Sequence, residues 1–179
     1  MKVIRTRTME VIDSLKQEYD QHCIYLKRGN RIEDLNPHYF FMGIAYNADI
    51  NTPWVEQDPI GVFRKDGYVL VQSLEDFDKN HILMAKFVEN IPIDLERPGK
   101  ITGISRDNLK NRYESGELYL HPKTGNYYKF LSLCQTIEDH EPRVLYKREE
   151  KSIPTWWTRD LLEFDSRYNS TILDGLNNE

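Results

Sequence analysis

Two short stretches bring together the residue types that recognise anions. In Leu118-Tyr119-Leu120-His121-Pro122-Lys123, an extended backbone places Tyr119, His121 and Lys123 on one face and both leucines on the other. Trp157-x-Arg159 repeats the same parity. If the two stretches are neighbouring strands, a guanidinium fork, an ammonium, an imidazole and an aromatic plate converge on one patch. That patch would bind a phosphate- or carboxylate-bearing small molecule, such as a nucleotide-like ligand. An acidic protein surface or the stacked bases of a single strand would suit it too. The same residues also have a packing explanation. There Trp157 and Tyr128 are core, Arg159 pairs with Asp160 or Glu163, and Lys123 is solvated on a turn.

His121 titrates near neutrality, so a second reading is a hydrolase of phosphorylated or nucleotide-like substrates with His121 as general acid or base. No nucleophile or orienting acid stands at an identifiable spacing from it. The preferred reading is therefore a non-enzymatic binding or interaction protein. His22, His38, His81, His121 and His140 show no ligand spacing, and the two cysteines, Cys23 and Cys134, form no C-x-x-C pair, so no metal site is expected. Neither GxxxxGK[ST] nor GxGxxG is present, and no cofactor is expected. The acids Asp49, Glu56 and Asp58 around Trp54 form either a second site or a solvated loop.

The net charge of −5 disfavours long duplex nucleic acid and anionic membrane surfaces, both of which select a basic field. Hydrophobic residues make up 39% of the chain, enough for a packed core. No stretch reaches transmembrane or signal length, and a cytoplasmic protein with free thiols is expected. The oligomeric state leaves no mark in the sequence.

The elements that would position these residues read as α+β. Thr8 caps a helix over about 9–21, and Tyr39–Tyr46 is a buried central strand. Asn47–Pro59 is a long loop, and Asp66-Gly67 is the tip of a hairpin between Ile60–Arg64 and Tyr68–Gln72. Ser73 caps a helix carrying Leu74, Phe77, Met84 and Val88 and ending at Pro92. The proline-bearing stretch 91–99 divides an N-terminal α+β unit, 1–98, from a smaller antiparallel barrel-like unit, 99–179, with its core at 116–168. In the second unit Ser105–Ser115 is a short helix closed by Gly116. Thr124-Gly125-Asn126 turns the chain into Tyr127–Cys134, Arg143–Lys147 and Thr155–Thr158 are strands, and Asp160–Tyr168 is a last helical turn. No internal repeat is expected.

The pattern Tyr119-x-His121-x-Lys123-x-Gly125-x-x-Tyr128, then Tyr146, Trp157-x-Arg159 and Phe164, resembles a short bacterial and phage family, domain of unknown function 1653. Asp160 stands where that family often has proline. The resemblance implies a compact β-rich domain over 116–168 and a bacterial or phage accessory factor as context. It carries no settled activity.

Overall fold

Two ten-residue strands rich in aromatic and apolar residues, His38–Asn47 and Tyr127–Thr136, organise the chain. The structure, a computed structural model, describes residues 5–21, 23–29, 38–86, 99–104, 106–111, 113–148 and 156–170. In chain order the elements are α1 (Arg7–Ser14), β1 (Ile24–Lys27), β2 (His38–Asn47), β3 (Ile60–Lys65), β4 (Tyr68–Ser73) and α2 (Leu74–Asn80). There follow β5 (His81–Ala85), β6 (Leu118–Leu120), β7 (Tyr127–Thr136), β8 (Pro142–Arg148), β9 (Trp156–Asp160), α3 (Leu161–Arg167) and β10 (Asn169–Ser170).

The mixed α+β class holds, and its centre is a closed six-stranded barrel. Strands β2, β3 and β4 form an antiparallel meander, as do β7, β8 and β9. Parallel pairing of β2 with β9 and of β4 with β7 closes the ring. The barrel interior is narrow and filled by modest side chains: Met42, Ala45, Val62, Val69, Val71, Cys134 and Leu145. Gly43 makes one close approach possible, because a Cβ there would meet the Trp156 ring at 2.8 Å. Outside the ring, α2 covers one aromatic cluster around Tyr25, Phe41, Phe63 and Phe77. Helix α3 covers another around Tyr119, Phe130, Tyr146, Trp157 and Phe164.

The halves repeat one another. Tyr25 pairs with Tyr39 as Tyr119 pairs with Tyr128, Phe41 with Phe63 as Phe130 with Tyr146, and Phe63 with Leu70 as Tyr146 with Trp157. The register shifts at the same place in both long strands, between Phe41 and Gly43 and between Phe130 and Ser132. Each half also hangs a strap on a buried aspartate. The Lys16 amide (3.1 Å) and Tyr19 Oη (3.1 Å) donate to Asp78, and Gln17 Nε2 donates to the His81 carbonyl (2.8 Å). Likewise the Lys110 amide (2.7 Å) and Tyr113 Oη (2.6 Å) donate to Asp165, and Asn111 Nδ2 donates to the Tyr168 carbonyl (3.0 Å). The sequence carries the matching words, Leu15-Lys16-Gln17-x-Tyr19 and Leu109-Lys110-Asn111-x-Tyr113, then Leu74-x-x-Phe77-Asp78 and Leu161-x-x-Phe164-Asp165. The expectation of no internal repeat is thereby corrected.

Other expectations divide by cause. The Asp66-Gly67 hairpin forms, both residues taking positive φ (54° and 82°), and it joins the sheet of β2. The second unit is antiparallel within itself, but it is not a barrel of its own, because β2 and β4 complete the ring. The first helix is capped by Thr6 and ends at Ser14, since the following residues are drawn out straight to reach Asp78. Thr8 is buried against the Tyr46 hydroxyl (2.8 Å) instead of capping. Met84 lies in β5, not in a helix, while Val88 and Pro92 lie outside the described residues. Among the described residues of 105–115, where a helix is expected, a 3-10 turn, Arg106–Asn108, is the helical element present; the Lys110 and Asn111 amides bond to Asp165 in place of a helical ladder. Among the described residues no helix is long and apolar enough to cross a membrane.

Candidate anion-binding site

The strand carrying Tyr119 stops at Leu120, so the parity expected through Lys123 breaks at His121. Tyr119 is fully buried, and its hydroxyl donates to Glu117 (2.7 Å). It belongs to the packing face. His121 opens the turn: its Nδ1 accepts from the Thr124 amide (3.2 Å), Gly125 takes φ 71°, and Lys123 is exposed on the same turn. The His121 ring stands edge-on to Tyr168, centroids 5.1 Å apart. Its pKa is lowered, first by desolvation and then by the charges of Arg167, Arg159 and Lys123, so the neutral imidazole sits in a positive field.

Trp157 and Arg159 do share a face of β9, and they share it with β8. Tyr146 is the register partner of Trp157, and Val144 that of Arg159. Arg148, two residues beyond Tyr146, lies with its guanidinium 4.1 Å from the Trp157 ring centroid and 5.9 Å from that of Tyr128. Tyr168, from the end of α3, closes the group with its ring 5.2 Å from Tyr128 and 6.3 Å from Tyr146. Of the five residues chosen from sequence, the structure therefore brings together Trp157, Arg159 and His121. It leaves Lys123 on the rim and turns Tyr119 away.

Arg159 is mostly buried, with a side-chain exposure of 11%. It donates to the Ala48 carbonyl (3.0 Å) and lies 3.7 Å from Asp49 and 3.9 Å from Glu163. The pairing foreseen with Glu163 is thus present but long, and Asp49 is shared, since it also accepts from Arg143 (2.7 Å) and from the Asp160 amide (3.0 Å). The acids near Trp54 accordingly play different parts. Asp49 orients the two arginines, and Asp58 pairs with Arg7 at the surface (2.7 Å).

Four polar atoms of the cluster are buried without a well-formed hydrogen bond: Tyr146 Oη, Trp157 Nε1, Arg148 Nε and Arg159 Nε, although Tyr146 lies close enough to Arg159 and to the Tyr168 hydroxyl for each pair to act on one another's titration as hydrogen-bond partners. Each is a donor. A buried polar group left unsatisfied costs about 1–3 kcal/mol, and native structures keep such groups to a few, with a ligand or ion among the usual reasons. Burial, opposed by the neighbouring Arg159, raises the Tyr146 pKa and keeps its hydroxyl protonated. Cys134 is fully buried and its thiol is pushed up to about 12, which makes it inert packing.

The first half shows what this framework looks like without the donors. Where the second half has Tyr146, Trp157 and Arg159, the first has Phe63, Leu70 and Gln72, the last donating to Glu138 (2.9 Å). The first half builds the same strand framework without the hydroxyl, the indole N–H or the arginine. Sequence reasoning missed Arg148, Tyr146 and Tyr168, although the parity of Val144, Tyr146 and Arg148 against Trp157 and Arg159 was available to find the first two.

A cavity of about 910 Å³ opens elsewhere, between the strap Leu15–Gln21 and Phe41–Ile44, with Trp156 at its edge. None of the five sequence-chosen residues lines it.

Fold and site together define a duplicated α+β barrel protein with an aromatic, donor-rich cationic patch on its second half. Comparison of the chain with protein-family models, curated proteins and solved structures finds no match.

Proposed function

We propose that this is a non-enzymatic binding protein whose second half captures a compact anionic ligand, bearing phosphate or carboxylate, at Arg148, Arg159, Trp157, Tyr146, Tyr168 and His121. The observation that carries the reading is the set of four buried donors without a well-formed hydrogen bond, at positions where the other half is partly apolar. All four suit an acceptor that brings negative charge. A nucleotide-like molecule would add a base to stack on Tyr128 or Tyr168. The acidic chain as a whole favours a small ligand or a partner's carboxylates over duplex nucleic acid. The likeness of residues 116–168 to the family of unknown function rests on the same Tyr128, Tyr146, Trp157 and Arg159, and a cytoplasmic bacterial or phage accessory role follows from it as part of the proposal. No observation favours the hydrolase alternative: His121 Nδ1 is engaged by the Thr124 turn and its ring packs on Tyr168.

Arg148 is the cleanest probe, because its guanidinium rests on Trp157 and Tyr128 and forms no ion pair among the described residues. Arg148→Ala is expected to weaken binding of inorganic phosphate or a nucleoside monophosphate roughly tenfold to a hundredfold, the loss of a charge-assisted contact. Stability should fall only by the lost cation–π contacts, about 1–2 kcal/mol. Titration calorimetry on both proteins reads this directly, and equal affinities would reject the site. Arg159→Ala is a poorer test, since Asp49 and the Ala48 carbonyl would lose a partner and stability would fall as well.

A further inference from the structure

We propose that the first half carries a second site, formed by Lys65, Tyr39, Lys27 and His81, which takes inorganic phosphate in its hydrogen-phosphate form. The internal symmetry locates it. Tyr39 corresponds to Tyr128, and each carries a cation over its ring: Lys65 Nζ lies 4.7 Å from the Tyr39 centroid, as Arg148 lies 5.9 Å from that of Tyr128. His81 follows α2 as Tyr168 follows α3. It stacks on Phe77 (centroids 3.7 Å) as Tyr168 stacks on Phe164 (4.3 Å), and it meets Tyr39 edge-on at 4.7 Å. Lys27 is the register partner of His81 across β1 and β5. Neither lysine forms an ion pair among the described residues.

The chemistry at His81 differs from that of the other half and selects the ligand. The imidazole is 1% exposed and its Nδ1 lies 3.0 Å from the Phe77 carbonyl. A carbonyl only accepts, so Nδ1 holds the proton and donates. Nε2 is then a lone-pair acceptor, and it is buried with no partner. The charges of Lys27, Lys65 and Arg28 bear on the same ring, and Arg28 Nε is itself held by the Lys79 carbonyl (2.9 Å). A ligand satisfying this group must present oxygens to ammonium groups and one O–H to Nε2. Hydrogen phosphate does both. Sulfate, fully ionised at neutral pH, has no proton to give. In the second half the matching groups are N–H donors and tyrosine hydroxyls, which can donate to either anion, so that half would not make this distinction.

The experiment is a titration of the full chain, labelled with ¹⁵N in histidine and tryptophan, with inorganic phosphate and separately with sulfate at neutral pH. Phosphate is expected to shift the His81 Nε2 resonance saturably, with sulfate roughly tenfold weaker there. Lys65→Ala, with Lys65→Gln as a second variant, should weaken the His81 response roughly tenfold and leave the Trp157 indole response intact, while Arg148→Ala does the reverse. The site is rejected if phosphate moves Trp157 alone, if sulfate moves His81 as readily, or if both lysine variants respond like the parent. A silent Trp157 beside a responding His81 would instead count against the binding site of the second half, so the two proposals fail separately.

Discussion

Tyr146 and Phe63 occupy the same position in the two halves of this chain, and the difference between them is one buried hydroxyl that forms no well-aligned hydrogen bond. Such pairs turn the molecule into its own control. His81 and Tyr168 form another. Burial lowers the His81 pKa to about 4, helped by the neighbouring cations, so the native state holds the ring neutral while the unfolded chain takes up a proton near its ordinary value. Stability from this group is complete above about pH 6.5 and is lost as pH falls toward 4, by on the order of 3 kcal/mol at most. His81→Tyr, which copies the other half, should remove that loss. Urea midpoints measured between neutral and mildly acidic pH should fall for the parent and stay flatter for the variant. Parallel slopes would show that His81 titrates as an exposed group does.

At the level of elements, α2 and α3 are each held by an N-cap and by a buried aspartate, Asp78 or Asp165, more than by length. The N-caps are Ser73 and Asp160, whose side chains accept from the Asp76 and Glu163 amides. Asp160 therefore starts α3. Asp165 gathers the Lys110 and Asn111 amides, Asn111 Nδ2 and the Tyr113 hydroxyl. Asp165→Ala leaves these donors without their charged acceptor and should cost on the order of 3 kcal/mol; a denaturation midpoint unchanged from the parent would show that the strap is not anchored there. Local signals of this kind were largely legible: the Asp66-Gly67 turn, the Ser73 cap, the Tyr39–Tyr46 strand and the strand after Gly125 all follow from turn chemistry and pattern. The helix expected over about 9–21 stops at Ser14, and that expected over 105–115 gives way to a 3-10 turn, for one shared reason. Both segments give up helical hydrogen bonds to reach an aspartate far along the chain, which no window of periodicity reports. Of the site, Trp157, Arg159 and His121 were legible through parity and residue type. Tyr119 was misassigned because a two-faced strand does not reveal which face the core covers.

For the whole molecule the decisive contacts cross between halves. Strand β2 shares one edge between β1 and β9, and β7 shares one between β6 and β4, so neither half closes a barrel alone. Asp49 of the first half sets Arg143 and Arg159 of the second. Such interlocking makes one cooperative unit. Urea unfolding followed by tryptophan fluorescence and by far-ultraviolet dichroism should give coincident single transitions, whereas two separated transitions would mean that the halves fold independently. The repeat itself was readable in Leu-Lys-Gln/Asn-x-Tyr and Leu-x-x-Phe-Asp, but identities this sparse gain meaning only when the strand registers align them.

Tyr146→Phe deletes one oxygen and reproduces the Phe63 that the first half carries at the same position. Melting temperature and affinity for inorganic phosphate or a nucleoside monophosphate are measured on the same two proteins. If the second half holds an anion site, the variant melts at or slightly above the parent, having shed a buried hydroxyl without a well-formed hydrogen bond, and binds roughly tenfold or more weakly. Unchanged affinity, or a parent chain that binds neither anion, would contradict it.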